Sequence, residues 1–284
     1  MIPTIKPLAG ALLTFFFLVF PACATCSAPL ADRNENADPP SVYRRHSIYI
    51  STPKTESEEW KTDDADISKV DKTKKLVSFT FDDAPTSHTE KLAAIFAAFN
   101  QKNADCPASA TVFFNGARLT PQDKTLLSTV FTVGFELGNH TDRHCDLTTL
   151  SKTEIEQEIQ TVDDFLQSVD GKSRHLLRAP YGKLNDDVKS VANAPIVDWT
   201  VDTLDWQQRS AEQIYQTVMQ GVFDGAIVLM HDGYPETQKA VKRLLPDLKS
   251  AGYQVLSVSQ LAKANECVLK NGNVYIRARK PENR

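Results

Sequence analysis

The chain has 284 residues, 41% of them hydrophobic, with 32 Lys and Arg against 36 Asp and Glu for a formal net charge of −4. Near-balanced charge without a long basic stretch argues against nucleic acid as a partner. Residues 76–265 make one region of a size suited to a single barrel domain.

At the N-terminus Lys6 precedes an apolar run from Leu8 to Phe20, closed by Pro21, Ala22, Cys23 and Ala24. The run is too short to span a bilayer and reads as a secretory signal over residues 1–24. The mature chain is therefore expected to be secreted or periplasmic, with no transmembrane helix. Acylation of Cys23 is the competing reading, but Phe20 and Pro21 fit a lipoprotein signal poorly. Residues 25–75 are polar and predict a flexible tether. Within it Val42 to Ile50 is more apolar, and His46 reads as a bystander.

From Leu76 onward strands and helices alternate. Strand-like runs fall at Leu76–Phe81, Thr111–Phe114, Phe135–Asn139, Leu176–Arg178, Ile196–Trp199, Ala226–His231 and Gln254–Val258. Helical patterns fall at Glu90–Asn100, Gln122–Phe131, Glu154–Val169, Ala211–Val222 and Gln238–Ser250. This alternation predicts an α/β fold with a parallel sheet, doubly wound or closed into a barrel. Residues 266–284 read as a C-terminal tail.

Five groups carry chemistry, each at a strand end. The first strand delivers Asp82 and Asp83, and neighbouring strand-end residues point in different directions, so one carboxylate can hold a metal while the other stays a base. His140 and His144 are four apart, a spacing that in a helical turn puts both imidazoles on one face. Thr141 stands where a zincin has its Glu, so the base must come from elsewhere, and Asp82 is a candidate. Arg178 ends an apolar run before Pro180-Tyr181-Gly182, Asp205 stands beside Trp206, and the strand through Leu229 stops at His231. Each group alone has an ordinary account, such as a solvated turn or a core histidine. Five of them at five strand ends favour a barrel whose C-terminal rim forms a site. There is no Gly-x-Ser-x-Gly elbow, and Gly171-Lys172-Ser173 fails as a phosphate loop because Leu166 stands where Gly is required. His88 and His175 read as rim or solvent residues.

The five groups, in this order across Leu76 to Ala264, resemble the motifs of the polysaccharide deacetylases with a NodB-homology catalytic domain. The resemblance implies a distorted (β/α) barrel of about seven parallel strands. It implies that Asp83, His140 and His144 hold a divalent metal, zinc foremost, with cobalt, nickel and iron as other fits. Asp82 would be the general base restrained by Arg178, and His231 the general acid oriented by Asp205. The Tyr181 N–H would help bind the oxyanion, while Trp206 and Leu229 would line the acetyl pocket. The implied activity is removal of N-acetyl groups from N-acetylglucosamine-type residues of an acetylated polysaccharide: peptidoglycan, chitin oligomers or a biofilm glycan. An O-acetyl (xylan-type) esterase and a non-catalytic glycan-binding barrel are the alternatives. Two positions depart from the pattern. Ala84 replaces a usual Gly, a poor choice if the backbone there needs positive φ, and Ala179 replaces a frequent proline.

The chemistry itself follows from the residue types. One carboxylate and two imidazoles leave a metal with open positions, and an amide needs its leaving nitrogen protonated. His231 beside Asp205 suits an acid, and Asp82 beside Arg178 suits a base. Export permits disulfides, and a barrel puts both Cys106 and Cys267 at its N-terminal end. A Cys106–Cys267 bridge is therefore expected, with Cys145 a packed thiol beside His144.

Overall fold

Strand β1, Lys75–Ala84, is buried from Leu76 to Asp82, and its two faces serve different layers. In the computed structural model, which describes residues 60, 62 and 64–279, Val77, Phe79 and Phe81 face outward into the helical layer. Phe81 meets Phe96 edge-on at 6.3 Å, and Phe96 meets Phe135 at 4.7 Å, arrangements that add to simple burial. Leu76 faces inward with Phe113, Leu176, Val197, Ile227 and Leu256. Strict alternation along the strand then sends Ser78, Thr80 and Asp82 to the inner face too.

Around β1 the pairing is parallel throughout. It meets β2 (Thr111–Phe114), β6 (Ile227–His231) and β7 (Tyr253–Leu256), and β2 meets β3 (Glu136–Asn139). Single bridges carry the ladder from Asn139 to Leu177 and from Leu177 to Ile196 in β4 (Ile196–Val197). After three intervening residues β5 (Val201–Asp202) pairs with β6, which closes the ring. The result is the expected distorted α/β barrel. Its register sets Asp82 opposite His231 and Phe114 opposite Asn139, so the functional ends share one rim.

The helices are α1 (Thr89–Lys102), α2 (Lys124–Thr132), α3 (Lys152–Asp170), α4 (Asp186–Val191), α5 (Ala211–Gly221), α6 (Pro235–Ser250) and α7 (Val258–Ala264). Capping boxes open α3 at Ser151 and Glu154, α5 at Ser210 and Gln213, and α7 at Ser257 and Gln260. Gly171, φ 79, ends α3, which accounts for the Gly-Lys-Ser turn. Among the described residues no helix is long and apolar enough to cross a membrane.

Several expectations are corrected. Leu176–Arg178 forms single bridges at Leu177 rather than a strand: it bonds to Asn139 on one side and to Pro195 and Val197 on the other, and the ladder stops at Arg178, whose carbonyl accepts from His140 Nδ1. The last strand stops at Leu256, since Ser257 caps α7. Residues 266–279 are not a loose tail: β8 (Val274–Tyr275) pairs with β4, and Ala278 is buried. The end of the expected tether also packs on the body, with Asp71 N–H donating to Gln254 Oε1 and Trp60 N–H to the Leu269 carbonyl. Cys106 and Cys267 are both free, so the expected Cys106–Cys267 bridge is not formed. Cys106 lies by Phe99, Leu245 and Tyr253, whereas Cys267 packs against the inner cluster. His175 is buried rather than at the rim. The signal segment, Cys23 and His46 lie outside the described residues.

Candidate active site

The two carboxylates at the end of β1 part company through one backbone angle. Asp82 continues the inward face, and regular alternation would send Asp83 outward beside the helices. Asp83 instead adopts φ 65, which re-aims its carboxylate so that Oδ1 lies 3.4 Å from His144 Nε2 and 3.8 Å from His140 Nε2. The left-handed residue is thus Asp83 and not Ala84, so the Gly-to-Ala departure costs the loop nothing at that position.

His140 and His144 do not share a helical turn. Thr141 and His144 both have positive φ, 65 and 54, and the loop folds the imidazoles to a ring separation of 4.9 Å. Non-glycine residues in this region are held there by their surroundings, and such strain gathers at functional sites. His140 Nδ1 donates to the Arg178 carbonyl at 2.8 Å, which leaves Nε2 as a lone-pair donor. Candidate ligand atoms of Asp83, His140 and His144 all lie within 4.8 Å of one another, so the donor set fits a divalent ion. Burial, then the charge of His140, pushes the His144 pKa down to about 4, and a metal needs that neutral imidazole. Burial raises Asp83, but His140, His144 and His231 outweigh it and leave its carboxyl below the usual range.

Asp82 is held from the other side. Arg178 is 0% exposed, and its Nη1 donates to Asp82 Oδ1 at 2.8 Å and to Thr80 Oγ1 at 2.7 Å. Its Nε donates to the Val197 carbonyl at 2.8 Å, and the guanidinium lies 4.3 Å from the Phe113 ring centre. A buried cation needs this full set of partners. On the adjoining strand His231 Nδ1 lies 2.7 Å from Asp205 Oδ1, while Asp205 Oδ2 accepts from His231 N–H and from Thr237 Oγ1. Burial lowers the His231 pKa, but the Asp205 hydrogen bond and charge outweigh it and raise the value to about 9.

Asp82, Asp83, His140, His144 and Arg178 thus form one connected group, with His231 and Asp205 paired beside it. Leu229 is buried on the inward face below His231, and Trp206 is half-buried in the turn after Asp205. Tyr181 is 49% exposed with φ 62, and its hydroxyl donates to the His144 carbonyl at 3.3 Å. Sequence reasoning missed Thr80, although its parity with Asp82 on β1 was visible. It also missed Asp232, which is buried and accepts from Thr86 N–H, Thr86 Oγ1 and Thr89 Oγ1. Asp232 thereby ties the loop after β1 to the loop after β6, a contact for which the local sequence carries no signal.

The family model for polysaccharide deacetylase matches residues 69–196. The peptidoglycan-N-acetylmuramic acid deacetylase of Bacillus subtilis (strain 168) is 31% identical over 222 residues, 78% of this chain and 43% of that protein. A peptidoglycan-N-acetylglucosamine deacetylase of Bacillus cereus is 30% identical over 204 residues, 69% of this chain and 92% of that one. The solved structure of the Bacillus subtilis peptidoglycan deacetylase PdaC superposes with a TM-score of 0.63 at 31% identity, covering 69% of this chain and 94% of that one. The chain therefore spans less than half the length of the Bacillus subtilis relative and nearly all of the Bacillus cereus one. By fold, ordered motifs and these likenesses, the chain belongs to the polysaccharide deacetylase family.

Proposed function

We propose that the chain is an exported, metal-dependent hydrolase that removes N-acetyl groups from N-acetylglucosamine-type residues of a polysaccharide. The supporting observation is the pairing of Asp82 with His231 in register on neighbouring strands, one bonded to Arg178 and the other to Asp205. A base and an acid in contrasting environments therefore face one rim. Asp83, His140 and His144 would hold the ion, and zinc suits two imidazoles with a carboxylate. Bound there, it would polarise the acetyl carbonyl as a Lewis acid.

Asp82 takes a proton from water as the water oxygen bonds to the carbonyl carbon. His231 gives its proton to the amide nitrogen as the C–N bond breaks, and acetate and a free amine result. The Tyr181 N–H donates to the oxyanion, and Leu229 and Trp206 line the space for the methyl group. An amine leaves only once protonated, whereas an alkoxide needs less help, so a proton-bearing His231 favours N- over O-deacetylation. Acetate release is the test. N-acetylglucosamine oligomers or peptidoglycan should be turned over faster than O-acetylated xylan. No acetate from any N-acetylated glycan would sink the reading and leave a glycan-binding barrel.

A further inference from the structure

The loop that carries His140 and His144 is anchored deeper in the protein than either ring. Asn139, the buried last residue of β3, immediately precedes His140. Its Nδ2 donates to the Ile159 carbonyl at 2.8 Å and to Asp163 Oδ1 at 2.9 Å, and its Oδ1 accepts from Thr141 N–H at 2.9 Å. Asp163 Oδ1 in turn lies 3.0 Å from Nδ1 of His175, whose Nε2 meets Asp170 Oδ1 at 3.2 Å. Four buried side chains thus lead from the end of α3 to the backbone of the loop.

We propose that Asp163 and His175 are positioning residues for the His140–His144 loop, acting through the orientation of the Asn139 amide. The proposal rests on the reading of Asp83, His140 and His144 as a metal site. The two ends of an Asn side chain are alike in shape and opposite in hydrogen bonding, so its orientation is set by its neighbours. The Ile159 carbonyl and the Asp163 carboxylate both demand the NH2 end, which leaves Oδ1 for Thr141 N–H. That bond holds Thr141, a β-branched residue, at φ 65, where it would not settle unaided. Thr141 lies between the two histidines, so releasing it loosens their spacing.

His175 completes the chain because both its ring nitrogens face carboxylates, an arrangement that calls for two N–H donors. Burial lowers its pKa, but the hydrogen bonds and charges of Asp163 and Asp170 outweigh this and raise it. Asp163 Oδ2 has no hydrogen-bond partner among the described residues, so Oδ1 carries all of its bonding to Asn139 and His175. Without the imidazolium, a fully buried carboxylate loses its compensating charge.

The test is titration of the metal-stripped full chain with zinc by calorimetry, beside thermal melting. Asp163→Asn and His175→Gln should each weaken zinc binding about tenfold, the low end for a group that orients a ligand through another. The double variant should lose little more than either single one, since both act along one path. Val162→Ala, on the same helix but facing the outer cluster, should lower the melting temperature and leave zinc affinity unchanged. Wild-type affinity in Asp163→Asn and His175→Gln, or an equal loss in Val162→Ala, would overturn the proposal. In the wild-type chain, which needs no variant to fold, the His175 ring should show two N–H protons by NMR at pH 7, and a single one would overturn it as well. If the wild-type chain itself binds no zinc, the metal-site reading fails, and this proposal fails with it.

Discussion

His231 is half-buried and yet keeps its proton past neutrality, because Asp205 offers it both a hydrogen bond and a charge. In the proposed role of general acid it must be protonated to work, so activity should fall about tenfold per pH unit above pH 9 and not near pH 6.5. The stability linked to this group has the same sign. It is complete below the ordinary value of 6.5 and disappears as pH rises through about 9. Asp205→Asn removes the charge, so the alkaline limb of the pH–rate profile should move to lower pH. An unmoved limb would show that another group sets it. The proposed metal and proton-transfer roles are separable by substitution. Asp83→Ala, His140→Ala and His144→Ala should lose metal by elemental analysis and regain some activity at high metal concentration. Asp82→Asn and His231→Ala should keep the metal and lose roughly a hundredfold or more in acetate release. If Asp82→Asn loses the metal while Asp83→Ala keeps it, the two carboxylates have been assigned the wrong way round.

At the scale of single elements, what was readable divides by the range of the forces involved. Phe79, Phe81, Val228 and Met230 alternate with inward-facing partners, so β1 and β6 and their functional ends could be found from pattern alone. The backbone turns at Asp83, Thr141 and Tyr181 could not, because local preference opposes φ near 60 and contacts from elsewhere impose it. His175 was misread for a related reason: its partner Asp163 lies 12 residues away, on the inner side of α3. Helix α7 was not among the clearest helical patterns although Ser257 and Gln260 form a capping box, because the apolar run before it hid the change of period. That box supports a direct test. Ser257→Ala should cost about 0.5–2 kcal/mol in denaturant unfolding, since the hydroxyl accepts from Gln260 N–H and no water can replace it at a buried residue. A change within experimental error would mean that packing alone holds α7.

The barrel as a whole is closed by its least regular parts. Between β3 and β6 the ring relies on single bridges and on two strands of two residues each, so few ladder hydrogen bonds hold it there. The C-terminal segment reinforces this weak arc. Val274 and Tyr275 pair with β4, Leu269 and Ala278 join the inner cluster, and Arg277 bridges to Ala226 at the start of β6. The segment therefore ties both flanks of the arc together at the end opposite the site. One close contact is at Gly225, where φ is 88, the Ala278 N–H donates to the Gly225 carbonyl at 2.9 Å, and an added Cβ would lie 2.6 Å from the Ala278 carbonyl oxygen. Both the backbone angle and the space exclude a side chain there. Gly225→Ala should accordingly destabilise the chain by more than about 1 kcal/mol, seen as a lower urea midpoint at unchanged slope. Truncation after Asn265 should go further, because it exposes the inner cluster, and should turn a single cooperative transition into a broad one. If the truncated chain unfolds as sharply and at the same midpoint as the intact one, the segment is not what closes the barrel.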